Sequence, residues 1–169
     1  MIGTGRIGKG VVQRAAGFNM NILANDAYPD HAFLERFGGQ YVDLDRIYRE
    51  ADFITIHAPL TDTTNNMINE RVLSMMKPTA VLINAARGGI VDEAALYMAL
   101  KEHRIYGAAL DATEIEPACG SPLALLDNCI LTPHAGAATR EASLKMGLLA
   151  AQNVIDVLRG KKCQYIVNE

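Results

Sequence analysis

The sequence predicts an α/β fold in which a mostly parallel sheet carries helices on both faces. Short apolar segments alternate with segments of helical periodicity along all 169 residues. The apolar segments are continuously apolar rather than alternating, which is typical of strands covered on both faces. Strands that alternate with helices form right-handed βαβ units and a parallel sheet. The predicted strands are residues 21–26, 52–58, 80–86, 106–112 and 129–134.

The predicted helices lie between these strands. One begins directly after the glycine-rich start of the chain, and shorter ones occupy residues 30–39 and 44–51. Residues 91–103 place small and apolar side chains on one face after an acidic first turn, which suits the positive end of a helix. Residues 140–160 carry an apolar stripe (Leu144, Leu148, Ala151, Ile155 and Leu158) and end at Gly160, a predicted C-cap.

The length and composition of the chain limit the classes of function that it can have. A chain of 169 residues fits one domain, half of its residues are hydrophobic, and the formal net charge is -3. Acidic and basic residues are interspersed, so we expect neither a nucleic-acid nor a membrane partner. Cys119, Cys129 and Cys163 are widely spaced, which predicts free thiols and a cytoplasmic location. The histidines show no metal-ligand spacing, and we expect no metal site.

The chain begins "MIGTGRIGKG", in which Gly3, Gly5 and Gly8 form a G-x-G-x-x-G pattern. Glycines let the backbone approach a pyrophosphate, and the N-terminus of the following helix offers N–H groups to it. The next predicted strand ends at Asp26, where a carboxylate binds the ribose hydroxyls. No Arg or Lys closely follows Asp26, which favours NAD over NADP. The pattern predicts a Rossmann-type, doubly wound dinucleotide site; the alternative is a purely structural turn.

Each predicted strand delivers a polar residue to its carboxyl end, where ligands bind in such sheets. These residues are Asp26, His57, Arg87, Asp111 and His134. An Arg here is suited to bind a substrate carboxylate bidentately, although a surface ion pair is the commoner role. For His57, a cofactor neighbour and a structural role are equally favoured.

His134 lies in "LTPHAGAAT" and is a candidate for proton transfer near neutral pH, against a structural role in hydrogen bonding. A carboxylate partner would keep the imidazole protonated. Glu114 and Glu116 both lie on the loop after the neighbouring strand, and physical reasoning leaves both open.

Several segments together resemble the D-isomer-specific 2-hydroxyacid dehydrogenases. They are "GTGRIG", "HAPLTDTT", "INAARGGIVDEAAL", "GAALDATEIEP" and "LTPHAGAATREA", with Asp26 after the first. The resemblance covers essentially the whole chain but only the nucleotide-binding domain of that family. It leans towards the phosphoglycerate dehydrogenase and hydroxypyruvate/glyoxylate reductase branches. It implies that residues 1–169 form one dinucleotide-binding domain whose first strand is truncated, and that the family's N-terminal substrate domain is absent.

The resemblance also implies an NAD-dependent oxidoreductase acting on a 2-oxo or D-2-hydroxy acid. Arg87 would clamp the substrate carboxylate, His134 would act as acid and base, and Glu116, the Glu before Pro117, would partner His134. Family members dimerise largely through this domain, which implies a homodimer. The implied cofactor-binding residues are Gly3, Gly5, Arg6, Ile7, Gly8, Asp26, Ala58, Pro59, Ala86, Asp111 and Gly136.

Two further interpretations stay open beside the dehydrogenase. A methyltransferase also uses a Gly-rich loop but does not explain Arg87, Glu116 and His134. A non-catalytic NAD-sensing module, like the corepressors that resemble these dehydrogenases, can retain the same residues. Catalysis needs an enclosed site, so we expect the 169 residues alone to bind NAD weakly or moderately and to turn over little.

Overall fold

The computed structural model describes residues 1–163, 165 and 166. The chain divides into two compact units, Met1–Pro133 and His134–Glu169. The first unit contains the sheet and most of the helices, and the second contains one long helix.

The first unit is built on parallel strands. Strands β3 to β6 form a four-stranded sheet in the order β3-β4-β5-β6, and β1 pairs with β2. Ile2 forms parallel bridges to Asn25, next to β1, and to Ile56 of β3. The segment that contains Ile2 therefore lies between β1 and β3, and successive strands are added on both sides of it. This is the doubly wound arrangement predicted. The bounds are β1 Leu23–Ala24, β2 Gln40–Tyr41, β3 Phe53–Ile56, β4 Val81–Asn84, β5 Gly107–Leu110 and β6 Cys129–Leu131.

The described helices begin at side-chain caps, with one exception. Asp30, Asp43, Asn69, Asp92 and Thr139 each accept a backbone N–H from the first turn of the helix that follows. The exception is α1, whose N-cap residue is a glycine without a side-chain cap. The bounds are α1 Arg6–Gly17, α2 His31–Glu35, α3 Leu44–Glu50, α4 Glu70–Met75, α5 Glu93–Lys101, the 3-10 helix Pro122–Leu125, and α6 Arg140–Leu158.

Two separate hydrophobic clusters cover opposite faces of the sheet. Met1 belongs to a cluster with Val12 of α1 and Leu34 of α2, whereas Ile2 belongs to one with Ile47 of α3 and the helices that follow. Consecutive side chains of an extended segment point to opposite faces, so neighbouring residues enter different clusters. Helices on both faces of the sheet are thereby confirmed.

All five predicted strands are confirmed with shorter bounds. The prediction that both faces of every strand are fully covered is wrong. Phe53 is 54% exposed, while Ile54 and Ile56 in the same strand are fully buried. Ile130 is 65% exposed. Phe53 is the first residue of β3, and Ile130 lies on β6, the edge strand of the four-stranded sheet. Each side chain therefore has fewer neighbours than one in the middle of the sheet. Strand β2, helix α4 and the 3-10 helix were not predicted.

The second unit contains α6, the helix predicted at residues 140–160. It starts after the Thr139 cap and ends at Leu158, shortly before Gly160, which has a φ of +70°. The predicted apolar stripe is largely exposed; Leu144 and Leu148 are each more than 60% exposed. No described helix has both the length and the apolar character required to cross a membrane.

Candidate functional site

Two glycines of the loop, Gly3 and Gly8, are packed so closely that neither position can accept a side chain. A Cβ at Gly8 would lie 2.2 Å from the carbonyl oxygen of Gly3. Gly3 has a φ of +88°, and its Cβ would lie 2.7 Å from the carbonyl of His57. At Gly5, by contrast, a Cβ would meet no described atom within 4 Å outside its chain neighbours. The loop therefore leaves open space at the uncapped N-terminus of α1, which fits a pyrophosphate.

Asp26 is held by hydrogen bonds just beyond β1. Its Oδ2 accepts the Thr4 N–H at 2.5 Å and the Thr4 hydroxyl at 2.9 Å, and its Oδ1 accepts the Tyr28 N–H at 2.8 Å. Partial burial raises the pKa of Asp26, but these bonds and the charge of Lys9 outweigh it, and the pKa lies below its ordinary 3.8. Asp26 is therefore ionised at neutral pH beside the glycine loop.

A cleft of about 580 Å³ lies at the carboxyl ends of β3 and β4, within the size range of small-ligand sites. It brings together four predicted cofactor contacts: Ile7, Ala58, Pro59 and Ala86. We call it the cofactor cleft; its remaining lining residues are His57, Leu60, Ala85 and Arg87.

His57 lines the cofactor cleft and is also tied to the strand before it. Its Nε2 lies 2.9 Å from the Thr55 hydroxyl. Burial, followed by the positive charge of the N-terminal amino group, lowers the pKa of His57 below its ordinary value of 6.5. The imidazole is therefore mainly neutral at pH 7. The bond to Thr55 supports the structural role of His57, and a cofactor neighbour stays a prediction.

A second cleft adjoins the first and carries charged side chains. Arg87 and Leu60 line both clefts, so Arg87 lies where the two meet. Its Nη1 donates to the Ala86 carbonyl at 2.7 Å, and its side chain is exposed. We call this second space the acid cleft; it is lined by Leu60, Arg87, Gly88, Gly89, Thr113, Glu114 and Glu116.

Asn84, the last residue of β4, fixes the loop that carries Arg87. It is 1% exposed, its Nδ2 donates to the Arg87 carbonyl at 2.8 Å, and its Oδ1 accepts the Ala86 N–H at 3.1 Å. A longer contact of 3.4 Å joins its Nδ2 to the Ala112 carbonyl. Asn84 was not predicted from the sequence as a site residue. The available signal was a single amide side chain at the end of an apolar strand, where it must find backbone partners.

The loop after β5 packs tightly on the loop after β4. A Cβ at Gly88 would lie 2.0 Å from the Thr113 carbonyl oxygen. The Glu114 N–H donates to Glu93 Oε1 at 2.6 Å, and the Glu93 N–H donates to Glu114 Oε1 at 3.4 Å. The Glu114 N–H and its Oε1 are therefore both bonded to the start of α5, and Glu114 and Glu116 both line the acid cleft with exposed side chains.

The remaining predicted site residues are distributed over both units. Asp111 directly follows β5, and its Oδ1 accepts the Thr132 hydroxyl at 2.5 Å. Arg6 is the exposed first residue of α1. His134 and Gly136 belong to the second unit, where His134 is exposed and has a φ of +52°. A non-glycine residue in this left-handed region is uncommon, although histidine is among the types enriched there.

Within the described residues, no three His, Cys, Asp or Glu side chains are grouped as a metal ion would require. The three cysteines are free. Burial, followed by the negative charge of Glu93, raises the pKa of Cys129 to about 11, so this thiol is protonated at neutral pH.

A doubly wound parallel sheet, a glycine loop leading into its first helix and an acidic residue after the next strand define a dinucleotide-binding domain of the Rossmann type. Residues 1–136 match the family described as "D-isomer specific 2-hydroxyacid dehydrogenase, NAD binding domain". The chain belongs to this family and corresponds to its NAD-binding domain.

Relatives and solved structures agree with this assignment. The chain is 46% identical over 169 residues to a D-3-phosphoglycerate dehydrogenase of Methanocaldococcus jannaschii, covering 99% of this chain and 32% of that protein. It is 45% identical over 169 residues to a glyoxylate reductase of Pyrococcus furiosus, covering 100% and 50%. The structure of D-lactate dehydrogenase with NAD⁺ from Lactobacillus jensenii superposes with a TM-score of 0.89 at 33% identity, covering 99% and 54%. The chain thus spans between a third and about half the length of these proteins.

Proposed function

We propose that this chain is the cofactor-binding part of an NAD-dependent oxidoreductase that transfers a hydride between nicotinamide and a 2-oxo or D-2-hydroxy acid. The observation that carries the proposal is the position of Arg87, which lines both the cofactor cleft and the acid cleft. A guanidinium at this junction can hold a substrate carboxylate beside the cofactor. Relatives named as a D-3-phosphoglycerate dehydrogenase and a glyoxylate reductase support a small oxo or hydroxy acid as substrate.

NAD, when bound, supplies the site that gives or takes the hydride. The glycine loop, with Arg6 and Ile7, would hold the pyrophosphate at the N-terminus of α1. Asp26 would bind the adenosine ribose hydroxyls, and Asp111 the nicotinamide carboxamide. Ala58, Pro59, Ala86 and Gly136 complete the proposed contacts.

Each proposed catalytic residue has a separate role in the reduction. Arg87 would bind the substrate carboxylate and polarise the neighbouring carbonyl. His134 would donate a proton to the carbonyl oxygen as the carbonyl carbon receives the hydride, and would take a proton back in the oxidation. Glu116 would keep His134 protonated. The family resemblance, in which the catalytic Glu directly precedes a Pro, here Pro117, favours Glu116 over Glu114 for this role.

The first test is cofactor binding by the purified chain. NADH and NADPH are titrated in parallel, and nicotinamide fluorescence reports the bound fraction. We expect saturable NADH binding, weaker NADPH binding, and a smaller difference in Asp26→Ala. If neither dinucleotide binds, the proposal is overturned for this chain.

The second test separates an enzyme from a non-catalytic NAD-sensing module. Glyoxylate-dependent oxidation of NADH is followed at 340 nm in the chain alone and in the chain joined to the remaining half of the Pyrococcus furiosus relative. We expect little turnover from the chain alone. In the joined form, Arg87→Ala should lower kcat/KM by about 100-fold or more, and Arg87→Lys should recover only part of it. Equal turnover in the three joined proteins would contradict the catalytic role of Arg87, and a joined wild type that binds NADH without turnover would favour the non-catalytic module.

We further propose that the protein forms a homodimer, as the family resemblance implies. Size-exclusion chromatography with light scattering measures the molar mass directly. A mass twice that of the chain, maintained on dilution, supports the dimer, and the mass of one chain argues against it.

A further inference from the structure

We propose that Tyr41 is a positioning residue for cofactor selectivity. Its hydroxyl, acting through Thr4, holds the Asp26 carboxylate in the orientation that favours a dinucleotide with a free ribose 2′-hydroxyl over one with a 2′-phosphate. The inference rests on the dinucleotide site proposed above. Neither Tyr41 nor Thr4 was predicted from the sequence as a site residue.

The direction of each hydrogen bond between Asp30, Tyr41, Thr4 and Asp26 is fixed by which groups can donate. The Asp30 N–H can only donate, so the Tyr41 oxygen accepts it, at 3.0 Å. The ionised Asp26 carboxylate can only accept, so the Thr4 hydroxyl donates to its Oδ2, at 2.9 Å. Between them, Tyr41 and Thr4 lie 2.8 Å apart, and the Tyr41 hydroxyl must be the donor. Every hydroxyl proton in the chain of bonds therefore points towards Asp26.

The network joins three neighbouring elements of the sheet. Thr4 follows Ile2 in the glycine loop, Asp26 follows β1, and Tyr41 ends β2. Thr4 is 3% exposed, so its hydroxyl depends on these protein partners. The His31 ring packs edge-on against the Tyr41 ring, with centroids 5.0 Å apart, and restricts the orientation of the phenol.

The network affects binding through the lone pairs of Asp26. A carboxylate has about four acceptor positions, and Thr4 and Tyr28 occupy three of them. At least one position on Oδ1 is left for a ribose hydroxyl. Among the charged groups near Asp26 are Lys9, whose charge favours the ionised form, and Asp30, which is paired with Lys9. Without the Tyr41 hydroxyl, Thr4 loses its donor and holds Asp26 less firmly.

The test compares Tyr41→Phe with Tyr106→Phe, a matched change on an exposed side chain next to the amino end of β5. Each purified chain is titrated with NADH and with NADPH. In Tyr41→Phe we expect the NADH dissociation constant to rise about fivefold to tenfold, the usual effect of one lost hydrogen bond, with NADPH binding unchanged. Tyr106→Phe should leave both constants as in the wild type.

Thr4→Val supplies the second variant, because it removes the hydroxyl and keeps the backbone N–H and the side-chain shape. It should reduce the NADH preference at least as much as Tyr41→Phe. Since Tyr41 acts through Thr4, the double variant should be no less selective than Thr4→Val alone. Additive losses in the double variant would overturn this route of action.

A purely structural role predicts different results. An unchanged NADH preference in Tyr41→Phe, or equal weakening of both dinucleotides together with a lower melting temperature, would overturn the proposal. If the wild type binds no dinucleotide, the proposed function fails, and that result is separate from any effect of Tyr41. The pKa of the Asp26 carboxyl, measured by carbon NMR in the chain without cofactor, gives an independent readout. It should rise towards its ordinary value in Tyr41→Phe, and an unchanged pKa also overturns the proposal.

Discussion

The Glu93 carboxylate accepts the Glu114 N–H at 2.6 Å, and the Glu114 carboxylate accepts the Glu93 N–H at 3.4 Å. These crossed hydrogen bonds tie the first turn of α5 to the loop that carries Glu116. The arrangement places two carboxylates side by side. Burial raises the pKa of Glu93 above its ordinary 4.5, and repulsion from Glu114 adds to this, although the Glu114 N–H opposes it. The link therefore combines a stabilising hydrogen bond with an unfavourable charge.

This combination predicts opposite effects for two variants of Glu93. Glu93→Gln keeps an acceptor for the Glu114 N–H and removes the charge, so at pH 7 it should be at least as stable as the wild type. Glu93→Ala loses the acceptor and should reduce the free energy of unfolding by about 0.5–1.5 kcal/mol. Urea denaturation of the three proteins measures both values.

The advantage of Glu93→Gln should depend on pH. Because the folded-state pKa of Glu93 is raised, the folded protein holds this proton more tightly, and wild-type stability falls as pH rises above about 4.5. The free energies of unfolding of the wild type and Glu93→Gln should therefore converge below about pH 4.5 and differ at higher pH. Glu35→Gln, on an exposed side chain of α2, is the matched control. A Glu93→Gln protein as unstable at pH 7 as Glu93→Ala would contradict the charge argument.

Two glycines of α1 should respond in opposite directions to alanine. A Cβ at Gly8 would lie 2.2 Å from the Gly3 carbonyl oxygen, so Gly8→Ala must displace the loop and should cost about 1–3 kcal/mol of stability. At Gly10 the nearest atom is the end of the Arg14 side chain at 3.5 Å, and Gly10→Ala should stabilise the helix by about 0.5–1 kcal/mol. Thermal denaturation checks both. Equal stability of the two variants would contradict the close packing of the loop on α1.

Gly5 should affect binding more than folding. Its φ of -64° suits alanine, and no described atom lies within 4 Å of the added Cβ apart from its chain neighbours. Gly5→Ala should therefore cost less than about 1 kcal/mol of stability. The new methyl group would occupy the open space at the N-terminus of α1, and we expect NADH affinity to fall about tenfold or more. Unchanged affinity in the fluorescence titration would mean that the pyrophosphate binds elsewhere.

Local sequence patterns predicted the parts of the site that depend on local structure. The spacing from Gly8 to Asp26 is set by one helix and one strand, so it can be read along the chain. The Thr4–Tyr41 hydrogen bond joins residues 37 positions apart, and Tyr41 lies in a two-residue strand with no periodicity of its own. Glu93 lies in the acidic first turn predicted for residues 91–103, and its bonds to Glu114 depend on how the start of α5 packs against the loop after β5. Such pairings follow from tertiary structure and were missed.

The buried amide of Asn84 should support both stability and cofactor binding. Asn84→Ala removes the bonds to the Arg87 carbonyl and the Ala86 N–H inside the protein, and should lower the free energy of unfolding by about 1–3 kcal/mol. Ala85, Ala86 and Arg87 line the cofactor cleft, so NADH affinity should fall as well. Asn128→Ala is the matched control, because Asn128 Nδ2 donates to the Leu100 carbonyl at 3.1 Å, next to the amino end of β6. It should lose stability and keep NADH affinity. A loss of affinity in both variants, in proportion to their stability, would show that Asn84 supports the fold alone.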